Sequence, residues 1–398
     1  MSTPDVLGGG RVGRASQVFH AKIVLMAGGQ GRARPMTEAA PERIMALGHR
    51  AAMLQPETEP GPVRLVLYRS GRREREVDTV QEAQRAIAED DGLMAWVALA
   101  EPDREQLTQV ARTFGVPDLV LEDALTAHQR PKAEIYHDVL FVVLRPAHYN
   151  DEAEQVVVGE VHLFASKNVV ITIQHTDHID LEAVRDRLET DRHILAQGPL
   201  GVVYAVLDRV VDAYAPVVAG VQEDIDELEN QVFDGDPGAS RRTYRLTREV
   251  ILLQRAVDPL EELLGELVAP LEHPDRAEPG LPHLQGTQDE QAVMRAHLRD
   301  VADHEKTVRE HVDGFRQMLQ DIMSVSNTLV DQSQNEAMKK ISSWGGILVL
   351  PALIASIFAM NATPGPDYHW VFSWPVTLLF MIVSALALYL IFRRNEWL

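Results

Sequence analysis

A chain of 398 residues without one cysteine has room for more than one domain, and it excludes a disulfide framework and thiolate-bound zinc. Its 59 acidic residues outweigh 38 basic ones, giving a net charge of -21. That excludes the basic surface nucleic acid needs and raises the local concentration of cations instead.

Residues 1–62 are rich in Gly, Ala, Arg and Pro with little periodicity, which predicts a disordered N-terminal extension. The apolar stretch Ile23 to Ala27 is too short for a secretory h-region. Ala27-Gly28-Gly29-Gln30-Gly31-Arg32, with Pro35 behind it, is similar to the glycine-rich phosphate loop of sugar nucleotidyltransferases. No matching nucleotide-binding domain follows, so a glycine-rich match this short predicts no nucleotide site.

From Val63 short β-branched runs alternate with amphipathic ones, which predicts an α/β cytoplasmic domain over 63–195. The expected strands are Val63–Tyr68, Met94–Leu99, Val139–Arg145, Val156–Phe164 and Val169–Gln174. The expected helices are Val80–Ala88, Arg104–Phe114, Leu119–Leu125 and Leu181–Thr190. Over 196–340 the pattern changes to a long helical stalk. Val203, Leu207, Val210, Tyr214, Val217 and Val221 keep a 4-3 spacing that Ile225, Leu228 and Val232 extend, before the turn formers Asp234 to Gly238. Leu246, Val250, Leu253, Val257, Leu260, Leu264 and Leu267 form a second run. A Pro-rich insertion, expected as a loop, lies near 270–286. Met294, Leu298, Val301, Val308, Val312, Phe315, Leu319 and Ile322 form a third run, and no proline interrupts the chain from Gln288 to Leu350. That predicts one helix of about 110 Å from Gln288 to Asn361.

Residues 341–361 and 372–392 are each long enough to cross a hydrocarbon core, and Asp367 is the one charged side chain between Ile341 and Phe392. Lys339 and Lys340 precede the first span, Arg393 and Arg394 open a basic tail at 393–398, and the external loop 362–371 has no Lys or Arg. The positive-inside rule puts both termini in the cytoplasm. Gly345, Gly346, Ala352, Ala355, Ser356 and Ala359 allow close helix packing or a narrow pore lining, and Pro351 is expected to kink the helix. Asn361 at the outer mouth reads equally as a helix cap or an interfacial hydrogen-bonding group. There is no nucleophile–base–orienter set, so no enzyme is expected.

Asn335-Glu336-Ala337-Met338-Lys339, Pro351, Ile354-Ala355 and Ile357-Phe358-Ala359-Met360-Asn361 resemble the CorA family of magnesium channels, whose first span ends in Tyr-Gly-Met-Asn. Leu121-Glu122-Asp123-Ala124-Leu125, then His128-Gln129-Arg130-Pro131-Lys132 and Glu134, are similar to that family's cytoplasmic signature. Arg299-Asp300-Val301 and Asp303-His304 match its stalk helix, and Trp397-Leu398 matches its basic Trp-Leu tail. The resemblance runs from about Val63 to Leu398.

The resemblance implies a funnel-shaped homopentamer in the inner membrane that admits Mg²⁺, with Co²⁺ or Ni²⁺ as further cargo. It implies that Asn335, Met338, Ala359, Met360 and Asn361 line the pore, that Asp367 attracts cations at the outer mouth, and that Glu122, Asp123 and Asp300 hold inhibitory Mg²⁺ between cytoplasmic domains. No organic cofactor is implied. The amide oxygens of an Asn361 ring suit an ion that keeps its water shell and must also leave. Three departures stand out: Ala359 replaces the signature glycine, Phe358 replaces the tyrosine, and the loop has Gly365-Pro366-Asp367 where the family has Met-Pro-Glu. They keep two alternatives in view, a zinc transporter of the ZntB type and a non-conducting scaffold or sensor.

Overall fold

The structure is a computed structural model that describes residues 61–125, 129–175, 179–273, 287–360 and 374–397. The expectations for the N-terminal extension and its glycine-rich loop, for most of the Pro-rich insertion, and for Asn361 and the external loop with Asp367 fall outside these residues.

Among the described residues nine strands form, seven of them in one sheet of order β2-β1-β3-β9-β8-β5-β4. β1 (Val63–Arg69), β3 (Leu93–Ala100), β5 (Val139–Leu144), β8 (Val161–Ala165) and β9 (Val169–Gln174) are its apolar centre. The edges are β2 (Arg72–Glu76) and β4 (Lys132–Tyr136). β2 reads Arg-Arg-Glu-Arg-Glu and is exposed throughout, so no apolar alternation marks it; charge on an edge strand discourages pairing with a second sheet. The run expected as one strand from Val156 to Phe164 divides at Gly159-Glu160. β7 (Gln155–Val158) pairs with β6 (Ala147–Asn150) as a separate hairpin, and β8 joins the main sheet. β3 and β9 are the parallel neighbours; the other pairs are antiparallel.

Both faces of the sheet are covered, because the central strands are apolar on both sides. On one face α1 (Val80–Glu89), α2 (Arg104–Phe114) and α3 (Asp118–Leu125) bury Val97, Phe141, Val143 and Ile173. Asp103 and Gln106 close a reciprocal capping box at the start of α2, and Gly115 ends it at φ 72°, where a side chain would be strained. The other face carries Trp96, Val142, Leu163 and Val170 against α4 (Leu181–Thr190), α5 (Arg192–Leu195) and α6 (Pro199–Asp212). Trp96 is fully buried, its indole N–H donates to Thr172 Oγ1 at 3.2 Å, and the Arg185 guanidinium lies 4.7 Å above its ring.

The core on this second face continues without a gap into the helical stalk: α7 (Tyr214–Phe233), α8 (Ala239–Val257), α9 (Leu260–Glu272) and α10 (Gln288–Met360). Two of the long periodic runs divide. Pro216 has no N–H for the Asp212 carbonyl, and the chain steps from α6 to α7 at Ala213. Pro259 likewise separates α8 from α9, although it and Asp258 keep right-handed helical dihedrals. Pro270, expected in the loop, lies inside α9. α10 starts from a capping box in which Glu290 N donates to Thr287 Oγ1 and Thr287 N to Glu290 Oε2. It runs for 73 residues and passes through Pro351 without ending. All eight apolar positions of its predicted stripe, Met294 through Ile322, are buried. Beyond Val325 and Leu329 the stripe stops, and Asp331 to Met338 are exposed all round.

Candidate ion pathway and cytoplasmic cation sites

The last third of α10 and all of α11 (Trp374–Arg394) are apolar and exposed. Leu348 is 68 % and Leu379 60 % accessible, far more than the core helix of a soluble protein would allow. Both helices have the length and composition to cross a bilayer. α11 lies along α10 and covers one side of it: Ser343, Ile347 and Ile354 are buried there, and the Phe392 ring sits against Gly346.

At about 100° per residue, Met338, Gly345, Val349, Ala352 and Ser356 fall within a sector of about 60°, on the side of α10 opposite Ile347. All five are exposed. Asn335 and Ala359 border this sector and are exposed as well; Met360 is the last residue of α10. The open side carries glycine, alanine and serine with Met338 and Val349, Leu348 and Leu353 border it, and Ile357 stands off to its flank. Val349 was not singled out from the sequence. Glycine, alanine and serine mark a close-packing face, but nothing in their spacing tells which side α11 covers.

At the basic end of this helix pair Trp397 stacks on Phe392 at 5.7 Å and 11°, and its N–H donates to the Phe392 carbonyl at 2.9 Å. The chain turns back there through Glu396 at φ 55°. The tail is thus folded against α11 beside Gly346.

The acidic residues expected to hold cations lie on two different elements. Asp123, on α3, accepts from Lys132 Nζ at 2.9 Å, and the same ammonium donates to Glu134 at 2.7 Å. Burial opposes the charge on Lys132, but Glu134 and Asp123 outweigh it and hold the ammonium above its usual pKa. Asp123 is thus partly neutralised within its own chain. Glu122, beside it, is exposed.

Asp300 is exposed on α10, across from α6. The α6 side presents Tyr204, Asp208 and Asp212, one helical turn apart. His297 stacks near Tyr204 with ring centres 5.0 Å apart, and His304 Nδ1 is 3.8 Å from Asp212. Burial, followed by repulsion from Asp212, raises the Asp208 carboxyl above the usual range; Asp300 adds to it and Arg187, at 3.4 Å, opposes it. A cavity of about 350 Å³, lined by Arg187, Tyr204, Asp208 and His297, opens along this seam. Asp208 was not picked from the sequence. Its signal was a carboxylate set among Val203, Val206, Leu207 and Val210, all of which are buried. Among the described residues of one chain, no three His, Asp or Glu side chains converge as a metal site.

The family model of the CorA-like Mg²⁺ transporter protein matches residues 91–394. The chain is 28 % identical over 315 residues to the cobalt/magnesium transport protein CorA of Thermotoga maritima, covering 78 % of this chain and 85 % of that one. Two solved structures share its fold. The CorA magnesium transporter of Methanocaldococcus jannaschii superposes with a TM-score of 0.63 at 18 % identity, over 84 % of this chain and 98 % of that one. The full-length CmaX protein gives 0.62 at 16 % identity, over 86 % and 100 %. With the family match running from β3 through the stalk to both apolar helices, this chain is a membrane protein of the CorA family.

Proposed function

We propose that the protein is a divalent-cation channel whose cargo is Mg²⁺, with Co²⁺ and Ni²⁺ admitted as well, assembled as a homopentamer in the plasma (inner) membrane. The observation that carries this reading is the open side of α10. One continuous helix leaves the cytoplasmic core, enters the apolar zone, and keeps a strip of mostly small side chains free of α11 up to Ala359. Copies arranged around an axis would turn that strip inward. Backbone and small side chains would then meet a hydrated ion, while Met338 and Val349 would form the apolar constrictions. Asn361 would follow at the outer mouth as a ring of neutral amide oxygens that hydrogen-bond the ion's waters. Asp367 would draw cations to that mouth. Lys339, Lys340, Arg393 and Arg394 support a cytoplasmic location for both termini.

The cytoplasmic carboxylates would regulate the channel. Oxygen donors suit Mg²⁺. No single chain gathers three of them, so a site using Asp123, with Glu122, and Asp300 would draw them from neighbouring copies. Bound Mg²⁺ would relieve the repulsion around Asp300, Asp208 and Asp212, compete with Lys132 for Asp123, and hold the closed arrangement. Ala359 and Phe358 favour one rival reading, a non-conducting scaffold, because glycine at a close backbone approach is hard to replace. The two readings separate in cells lacking other magnesium uptake. The channel restores growth at low Mg²⁺ and Asn361→Ala abolishes it; a scaffold restores nothing in either form.

A further inference from the structure

Three of the five buried polar atoms that lack a hydrogen-bond partner among the described residues belong to neighbours in one cluster: Arg145 Nε, His162 Nδ1 and His175 Nε2. The cluster lies at one end of the sheet's centre. Glu160 and His162 are at the start of β8, and His175 follows the end of β9, its N–H donating to the Glu160 carbonyl at 3.1 Å. His162 is fully buried and His175 partly exposed, while the two unpartnered ring nitrogens are themselves buried.

The hydrogen bonds assign the lone pairs. His162 Nε2 is 2.6 Å from Glu160 Oε1. A carboxylate accepts, so Nε2 carries a proton; in the neutral ring Nδ1 then presents a free pair. A histidine oriented by a carboxylate through its other nitrogen is the usual arrangement of a metal-bound imidazole. His175 Nε2 is buried and has no hydrogen-bond partner among the described residues, so this ring too offers an uncommitted nitrogen. The two ring centres are 4.7 Å apart with planes at 65°. Two imidazoles on one ion, each with nitrogen at about 2.1 Å and with an angle of about 90–110° at the metal, place their centres about 4.5–5.3 Å apart.

We propose that His162 and His175 form a site in the cytoplasmic domain for a nitrogen-preferring divalent ion of the Zn²⁺, Co²⁺ or Ni²⁺ type, with Glu160 orienting His162 from outside the coordination shell. Mg²⁺, which prefers oxygen, is rejected. Water enclosed with the ion would complete the shell, since the pair is the whole protein contribution among the described residues; such a water would also give the buried Arg145 Nε its missing acceptor. Arg145 does not repel the ion outright, because its guanidinium is 3.6 Å from the other Glu160 oxygen, and the two charges offset each other. With two protein ligands the site is exchangeable, suited to sensing a transition metal arriving through the pore.

The test uses the full-length protein in detergent, stripped with a chelator and titrated with Co²⁺ in a large excess of Mg²⁺ to fill oxygen sites. The wild type is expected to bind one more Co²⁺ per chain than His175→Phe, which keeps the ring volume, and to show imidazole scattering in the X-ray absorption of that Co²⁺. Glu160→Gln is expected to weaken it about tenfold. Equal Co²⁺ stoichiometry in wild type and His175→Phe would overturn the site and leave the pair bridged by water alone. Should His175→Phe not fold, an unchanged affinity in Glu160→Gln would overturn it equally.

Discussion

Glu305 sits in the stalk with 2 % of its surface accessible, and its Oε1 receives no hydrogen bond. Its nearest cation, Arg309, is 3.5 Å away and already engaged by Glu261 across the contact with α9. Burial raises the carboxyl to about 7, with Glu261 and Asp258 adding to the rise and Arg309 opposing it. A carboxyl whose folded pKa exceeds its unfolded value favours the folded state while protonated. That contribution is complete below about pH 4.5 and is lost as pH climbs through about 7. Glu305→Gln, a neutral isostere, should therefore raise the thermal midpoint in detergent at pH 8, by up to about 2–3 kcal/mol of stability, and leave it nearly unchanged at pH 5. A variant that is destabilised equally at both pH values would refute the buried-charge account. Trp96 gives a simpler case: Trp96→Ala removes a fully buried ring and should cost about 3–5 kcal/mol, read as a large fall in melting temperature.

Among the elements, α10 decides how the membrane part works. Its third apolar run was legible as one helix because the 4-3 spacing is unbroken and no proline precedes Pro351. The stalk's other runs carry the same spacing, yet they divide at Ala213 and at Asp258-Pro259, since apolar periodicity survives a proline that backbone hydrogen bonding does not. The edge strand β2 was illegible for another reason: it is wholly charged, and its partner rather than its own pattern makes it a strand; β4 does alternate Ala133 and Ile135 with Lys132 and Glu134, but over five residues that is a weak signal. For the candidate site, sequence supplied the residue types but not the side of the helix. That assignment gives a direct expectation. Because the chain has no cysteine, single cysteines at Val349 or Ser356 should react with a charged thiol reagent and lose uptake. A cysteine at Ile357, farther round the helix, should remain unreactive. The reverse pattern would mean that the strip packs against a neighbour or lipid instead of water.

At the scale of the whole molecule, the account requires copies. One chain offers Asp123 tied to Lys132, and Asp300 facing Asp208 and Asp212 on another element, with no three ligands converging among the described residues. Native mass spectrometry should find five chains, and Mg²⁺ should protect the wild type from protease by tightening the contacts between cytoplasmic domains. Asp300→Ala should lose most of that protection, whereas unchanged protection would remove Asp300 from regulation. The central claim, however, is conduction through a span that ends in Ala359-Met360-Asn361. It is tested most directly by reconstituting the purified protein in proteoliposomes and measuring entry of Mg²⁺, Co²⁺, Ni²⁺ and Zn²⁺ in turn. Mg²⁺ is expected to enter with the wild type and not with Asn361→Ala; no entry of any of the four ions with the wild type would contradict conduction through this span.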